Sequence, residues 1–260
     1  MSSPHRSALL ALVSLSLCLL APPGASAQQA EQPPLYTFVA QWTVPRAQWG
    51  EAAAFFEKTT RPVLERLAAS GTLAGWGNSE TVVHQEDAST HSTSWTASSL
   101  AGIERAREEL LKLPPNPAMA NAKHRDYLLR SIIYNGKPAG PASGYLSVSS
   151  IKVQPGKGRQ WREFWEKYTK PTYDELVANG TIAGYSVDVE HVHTDDPGWR
   201  FVVFVAPSAD AVDKVDAAFQ TLNRKRSPEE NRGIFATVAE LTVAGVHRDY
   251  FARVPAHARK

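Results

Sequence analysis

The sequence predicts an α+β protein in which two copies of a β-α-β-β-α-β unit follow each other, and three observations indicate this fold class. A shift of 109 positions aligns Phe55–Trp76 with Phe164–Tyr185 without a gap. Apolar residues recur at every second position in the segment that opens each copy, which is typical of a strand, and at helical spacing in the segment that follows. Prolines and glycines keep equal intervals in both copies, so we interpret the match as a duplication.

The opening elements of each unit are a strand and a long helical segment. Tyr36, Phe38, Ala40 and Trp42 recur at every second position, which predicts the first strand. In the second copy, Trp161, Phe164, Trp165 and Tyr168 occupy one face of a helix. Because Pro62 and Pro171 interrupt the two helical segments, we expect a kink or a break there.

The later elements follow from turn and capping residues. Gly71 and Gly180 stand where the helical segments should end, and a strand is expected after each of them. Ser99 and Ser208 are expected to cap a second helix in each copy, and Ser227 an additional helix in copy two. The strings KHRDYLLR and VHRDYFAR, at 123–130 and 246–253, are predicted as the closing strands.

The predicted organisation has four segments. Residues 1–27 are a secretory signal peptide, residues 28–134 the first repeat, residues 135–143 a linker, and residues 144–260 the second repeat. The linker is predicted because its sequence, NGKPAGPAS, is rich in glycine, proline and serine. The closing strings are offset by 123 positions instead of 109, so the second repeat has gained residues just before its last strand.

The first segment has the three parts of a secretory signal. Arg6 precedes the apolar run Ser7–Ala21, and Ala25-Ser26-Ala27 supplies small residues for cleavage. We expect an exported protein, periplasmic or extracellular, with no membrane partner after cleavage. Cys18 is the one cysteine of the chain and lies inside this segment, so the mature chain is expected to have no thiol chemistry and no disulfide.

The order β-α-β-β-α-β is the ferredoxin-like arrangement, whose sheet leaves one face uncovered. Two tandem copies can bury these faces against each other. The element order, the copy length and the G-T-[LI]-A-G string at 71–75 and 180–184 resemble the dimeric α+β barrel superfamily. That superfamily includes antibiotic-biosynthesis-type monooxygenases, haem-degrading and dye-decolourising enzymes and many stress-related proteins. The resemblance implies a barrel formed within one chain, a pseudo-dimer, and leaves a homo-oligomer open.

Charge and motifs exclude several function classes. Lys+Arg 28 against Asp+Glu 26 gives a net charge of +2, too balanced for a nucleic-acid partner held through phosphates. No G-x-S-x-G, G-x-G-x-x-G, P-loop or H-E-x-x-H string is present in the sequence. Serine hydrolases, dinucleotide enzymes, P-loop enzymes and zincins therefore lose their usual support.

Four histidines are the candidate catalytic residues. His84 and His193 occupy one position in both copies, near the end of the second strand. His191 and His193 are also weak candidates for a metal site, since two histidines near a carboxylate can hold zinc, copper or iron. His124 and His247 belong to the repeated H-R-D-Y string, where a strand would place each histidine on the same face as the following aspartate. A hydrogen-bonded structural histidine is the alternative at each position.

A set of aromatic and basic residues forms the candidate ligand site. The helical stripe favours a core, but part of it could wall an apolar pocket between helix and sheet. The residues expected to contact a ligand are Trp161, Trp165, Tyr168, Tyr185, Arg248 and Tyr250.

These patterns support two functions from different classes. The first is an exported binding or stress-type protein that holds a small apolar or aromatic molecule and needs no cofactor. The second is a cofactor-free monooxygenase or isomerase, or a haem enzyme, with a pocket histidine as base or ligand. We predict no cofactor, with haem or a divalent metal as the disfavoured alternatives.

Overall fold

Eight antiparallel β-strands close into a barrel in the computed structural model, which describes residues 32–84, 88–194 and 197–259. The order around the barrel is β1-β3-β2-β8-β5-β7-β6-β4. The strands are β1 (Leu35–Thr43), β2 (Gly75–Thr81), β3 (His91–Ala97), β4 (Lys123–Gly136), β5 (Ala139–Val153), β6 (Gly184–Glu190), β7 (Trp199–Ala206) and β8 (Thr242–Arg259). The predicted α+β barrel is confirmed.

The pairing repeats between the half that contains β1–β4 and the half that contains β5–β8. Tyr36 of β1 faces Ala97 of β3, and Tyr145 of β5 faces Ala206 of β7, so the two registers differ by the same 109 positions. The halves join where β4 pairs with β6 and β2 pairs with β8. Because every strand has two neighbours, the barrel leaves no open sheet edge.

Helices cover the outside of the barrel. They are α1 (Trp49–Phe55), α2 (Arg61–Ala69), α3 (Leu100–Leu111), α4 (Gly158–Tyr168), α5 (Lys170–Ala178), α6 (Ala209–Lys225) and α7 (Pro228–Leu241). The expected breaks at the prolines are confirmed. A π-helical turn, Phe56–Thr60, separates α1 from α2 just before Pro62, and α4 ends just before the helix that contains Pro171.

The predicted helix boundaries also agree with the structure. Gly71 and Gly180 have φ angles of 80° and 79°, which glycine adopts without the strain of a Cβ atom. Ser99 and Ser208 accept hydrogen bonds from backbone N–H groups in the first turns of α3 and α6. Ser227 and Glu230 form a reciprocal capping box at the start of α7.

Two main hydrophobic cores lie between the helices and the barrel, one in each half. Leu64 of α2 and Ile103 of α3 pack with Trp76 and Trp95 of the first half. The closing strands are shared, since Ala256 of β8 belongs to this first core and Ile133 of β4 belongs to the second. The second core contains Trp161, Trp165, Tyr173, Leu176, Ile182, Tyr185, Val187, Val202 and Phe204, among others.

The segment between the halves differs from the predicted linker. Asn135 and Gly136 continue β4 because their backbone pairs with Tyr185 and Gly184 of β6. Ala139 already belongs to β5, where it pairs with Arg259. Barrel closure supplies hydrogen-bond partners for this glycine- and proline-rich stretch, so its composition does not make it a flexible spacer.

The predicted signal peptide, residues 1–27, lies outside the described residues. Within the described part of the chain, no helix is long and apolar enough to cross a membrane.

Candidate functional site

A solvent-open cavity of about 500 Å³ lies in the second half, between the start of α4 and the end of β6. Its lining residues come from β4, α4, the β6 terminus and β7. They are Arg130, Ile132, Gly158, Arg159, Arg162, Val189, Glu190, His191, His193 and Arg200. The cavity is large enough for a small organic molecule, and its walls combine apolar and cationic groups.

The two histidines of the cavity follow β6 directly. The backbone N–H of His191 donates to the Leu128 carbonyl at 2.7 Å, which extends the pairing of β6 with β4 by one residue. The His191 ring packs edge-on against Tyr36 with 5.1 Å between ring centroids. His193 lies two residues further on, outside the strand. The sequence predicts both rings on one face of a strand. Here β6 has already ended, but both residues line the same cavity.

Four arginines make the cavity cationic. Arg162 pairs with Glu166 at 2.9 Å, and Arg159 approaches Glu163 at 3.9 Å, both along α4. Among the described residues, the side chains of Arg130 and Arg200 have no carboxylate partner within ion-pair distance. Glu190 is the one acidic residue among the lining residues, and one of its oxygens accepts a hydrogen bond from Thr194 at 2.9 Å.

Arg200 lies deepest among these cations. One of its terminal nitrogens donates to the Trp199 carbonyl at 2.9 Å, while its Nε is buried with no hydrogen-bond partner. Burial lowers the pKa of the Arg200 guanidinium below its usual value. The usual value is so high that the group still carries its charge at neutral pH. The cavity therefore contains a partly desolvated cation that has no carboxylate within ion-pair distance among the described residues, although the buried Glu190 lines the same cavity.

In the first half the corresponding space is filled by Trp49. Trp49 aligns with Gly158 at the 109-residue shift and is 9% exposed. Its ring contacts His84 at 4.9 Å and His91 at 5.1 Å between centroids, and its Nε1 donates to the Val44 carbonyl. The guanidinium of Arg46 lies 4.0 Å from the ring centroid. The glycine of the second half leaves this space open.

The remaining candidate histidines lie outside the lining of this cavity. His84 packs against Trp49. His124 Nε2 lies 2.9 Å from an Asp126 oxygen, and His247 Nε2 lies 3.1 Å from an Asp249 oxygen, so each histidine shares a face with its aspartate as expected. The side chains of these two His–Asp pairs are substantially exposed on the strand surface. A catalytic role for His84, His124 or His247 stays a prediction.

The candidate aromatic residues contact other side chains of the protein, and three of them pack in the second core. Trp161 and Trp165 are each 4% exposed and pack in the second core. Tyr185 is buried there too, and its hydroxyl donates to Asp174 at 2.7 Å. The Tyr168 ring lies 4.9 Å from the Lys167 ammonium, and the Tyr250 hydroxyl lies 3.3 Å from Ser79 Oγ. These five aromatic residues and Arg248 do not line the cavity, and their contact with a ligand stays a prediction.

A metal site receives no support from side-chain grouping. No cluster of three or more His, Cys, Asp or Glu side chains suited to a metal ion occurs in residues 32–84, 88–194 and 197–259. A metal site at His191 and His193 stays a prediction.

A second polar cluster lies on the barrel face of β6. Because side chains alternate along a strand, Asp188 points away from the core residues Val187 and Tyr185. Asp188 is 5% exposed and accepts a hydrogen bond from Ser186 at 2.8 Å. Burial raises the pKa of Asp188 to about 6, although hydrogen bonds from Ser131 and Ser186 and the charge of Arg259 oppose the shift. The carboxyl group thus holds its proton more tightly in the folded state than in the unfolded chain.

This raised pKa predicts how stability depends on pH. The stabilisation from Asp188 is complete below its usual pKa of 3.8 and is lost as pH rises through about 6. We expect this group to lower the free energy of unfolding by about 2 kcal/mol between pH 4 and pH 7. Urea unfolding at both pH values should show that Asp188→Asn removes this part of the pH dependence. Asp249→Asn on the exposed surface serves as the control, and parallel pH profiles for wild type and Asp188→Asn would contradict the prediction.

Arg130, Arg200 and Gly158 were not among the sequence-based candidates. The repeat alignment contains the missing signal, because it places Gly158 opposite Trp49 and Arg200 opposite His91. An exchange of tryptophan for glycine between equivalent positions indicates that one half is open where the other is filled.

Comparisons with known proteins identify the fold. No protein-family model matches the chain, and no curated protein matches it. A candidate monooxygenase from Lactobacillus acidophilus NCFM is similar with a TM-score of 0.60 at 11% identity, over 88% of this chain and 97% of that one. A candidate monooxygenase from Fusobacterium nucleatum subsp. nucleatum ATCC 25586 also has a TM-score of 0.60 at 11% identity, over 87% and 94%.

A third solved structure, an anthrone oxidase-like protein, has a TM-score of 0.51 at 14% identity and covers 88% of this chain and 94% of its own. At such low identity these similarities concern the fold alone. The chain has the dimeric α+β barrel fold, with both halves of the barrel supplied by one polypeptide.

Proposed function

We propose that this protein binds a small organic molecule in the cavity between α4 and β6, with one site in each chain. The observation that carries the proposal is the exchange of Trp49 for Gly158. It leaves about 500 Å³ open in the second half at the position that an indole ring fills in the first. The volume is within the range of small-molecule sites, and most of the lining is cationic or polar, with Ile132 and Val189 as the apolar side chains.

The lining residues give a ligand two kinds of contact. Ile132 and Val189 supply apolar wall on the sheet, next to the Tyr36–His191 ring pair. His191 and His193 offer ring nitrogens that can donate or accept hydrogen bonds. This combination suits the compact aromatic or apolar body that the sequence suggested, with polar substituents directed toward α4.

Native mass spectrometry tests the binding proposal. The protein would be incubated with a small-molecule extract of its own host, separated from free compounds and measured without denaturation. We expect one adduct per chain, released on denaturation and identifiable by its mass. An unchanged protein mass, or two equal adducts per chain, would contradict a single open cavity.

A second candidate function is a cofactor-free monooxygenase or isomerase that uses the same cavity. Two of the fold neighbours are described as candidate monooxygenases and a third as anthrone oxidase-like. The histidines of this chain favour the same direction, because a neutral imidazole beside a bound ligand can remove a proton from it.

This second function predicts a large effect of the cavity histidines on turnover. The double variant His191→Gln and His193→Gln should turn over the identified ligand about a hundredfold more slowly, since a general base contributes at least that much. His84→Gln, at the position of the first half that matches His193, is the comparison, and full turnover by this variant would place the catalytic histidines in the second half. Equal turnover by the double variant and the wild type would eliminate histidine catalysis.

Absorbance spectroscopy tests the haem alternative. The cofactor-free proposal expects no Soret band in the absorbance of protein purified from its host. A Soret band that follows the protein through purification would favour the haem enzyme instead.

We also propose that the protein is exported and that its two halves descend from a duplication. Export is supported by the signal-type sequence of residues 1–27, and a mature N-terminus near Gln28 in protein from the host would agree with it. A chain that retains Met1 would contradict export. The duplication is supported by the equal registers of β1 with β3 and of β5 with β7.

A further inference from the structure

We infer that the ligand of this cavity carries an oxyanion, a carboxylate or a phosphate, which Arg200 and Arg130 bind beside the first turn of α4. The inference concerns the same cavity and therefore rests on the proposed function. It goes further because it assigns the chemical class of the ligand and names the residues that recognise it.

Unbalanced positive charge is the first observation behind this assignment. Neither Arg130 nor Arg200 has a carboxylate within ion-pair distance among the described residues. Arg130 is exposed, whereas the Nε of Arg200 is buried without any hydrogen-bond partner. A buried cation is costly unless it is paired and hydrogen-bonded. A guanidinium is planar and presents parallel donors that match the two oxygens of a carboxylate or phosphate. An oxyanion in the cavity would supply the missing acceptors.

The start of α4 is the second observation. A Cβ atom built on Gly158 would lie 2.9 Å from a terminal nitrogen of Arg200, so this guanidinium sits directly beside the first residue of the helix. No acidic side chain occupies the first turn of α4. The first N–H groups of a helix have no partner within the helix and carry a partial positive charge. An anion would thus be attracted by the guanidinium and the helix terminus together.

The first half lacks this set of charges. At the positions that match Arg159, Arg162 and Arg200 the sequence has Gly50, Ala53 and His91, and only Arg253 corresponds to Arg130. Three of the four arginines are therefore specific to the half whose cavity is open.

Isothermal titration with matched probes tests the assignment. Benzoate and benzamide have nearly the same shape but differ in charge, and inorganic phosphate is an oxyanion without an organic body. We expect benzoate to bind at least about tenfold more tightly than benzamide, the loss typical of one charge-assisted interaction. Stronger binding of benzoate than of phosphate would support an organic acid, and the reverse would support a phosphate group as the recognised oxyanion.

Variants identify the residues responsible. Arg200→Met or Arg130→Met should lower benzoate affinity about tenfold or more and leave benzamide affinity unchanged, which a general loss of structure would not do. Arg200→Lys keeps the charge but loses the planar guanidinium with its parallel donors. Its benzoate affinity should therefore lie between those of the wild type and Arg200→Met. Arg253→Met is the matched control in the first half and should bind benzoate like the wild type.

Three results would overturn the inference: equal affinity for benzoate and benzamide, no binding of benzoate or phosphate at all, or full benzoate affinity in both arginine variants. A neutral host compound captured by the cavity in native mass spectrometry would also overturn it, while the proposed function would stand. If benzoate binding depends on Arg200 but no host compound binds, the proposed function fails and the inference stands.

Discussion

Gly158→Trp should abolish binding of the benzoate probe in the second-half cavity. The substitution places in the second half the same side chain that Trp49 supplies in the first, where the indole contacts His84 and His91. Because the nearest obstacle to a new side chain at Gly158 is the end of the flexible Arg200 side chain, the protein should still fold. We expect the affinity to fall more than about a hundredfold, since an indole removes most of the volume that a drug-sized ligand needs.

The measurement is titration of benzoate into Gly158→Trp and into a matched control. Gly50→Trp adds the same side chain in α1 of the first half, where a Cβ atom meets nothing within 4 Å. The control should bind benzoate like the wild type and have the same circular dichroism spectrum as Gly158→Trp. Retained affinity in a folded Gly158→Trp variant would place the ligand outside this cavity.

Trp165→Ala should cause the largest loss of stability among these variants. Trp165 is 4% exposed and stacks on Tyr173 with ring centroids 5.8 Å apart, while Tyr185 packs at 5.7 Å. Removing a buried tryptophan deletes apolar contacts and leaves a cavity, which costs about 3–5 kcal/mol. Trp165→Phe should cost only about 1–2 kcal/mol, because a phenyl ring, as at the matching Phe56, can keep most of the packing.

Urea unfolding measures both changes, and benzoate titration distinguishes a core residue from a ligand contact. Trp165→Phe should keep the wild-type affinity for benzoate if Trp165 belongs to the core. Wild-type stability with weaker benzoate binding in Trp165→Phe would show that the indole contacts the ligand, as the sequence predicts.

The fold could be predicted from the sequence because its signals are local and occur twice. Alternating residues such as Tyr36 and Phe38 set a strand, Pro62 breaks the first helix, and Gly71 adopts the positive φ that ends the next one. The linker between the halves could not be recognised as strand. Asn135 and Gly136 pair with β6, which is distant in sequence, and composition does not report such a partner.

The candidate site was predicted only in part. His191 and His193 stand out because they are histidines near a strand end, and both line the cavity. Arg130 and Arg200 lie on β4 and β7, and only the closed barrel brings them beside α4. The aromatic stripe was harder to assign, since a helix face that packs in the core and one that lines a pocket have the same spacing. Burial separates the two, and it places Trp161 and Trp165 in the core.

A crystal structure of the protein with 4-bromobenzoate would test the central proposal most directly, because anomalous scattering locates the bromine without ambiguity. We predict one bromine per chain between α4 and β6, with the carboxylate at the guanidinium of Arg200. A bromine in the first half beside Trp49, or inside the barrel, with the second-half cavity empty would contradict it.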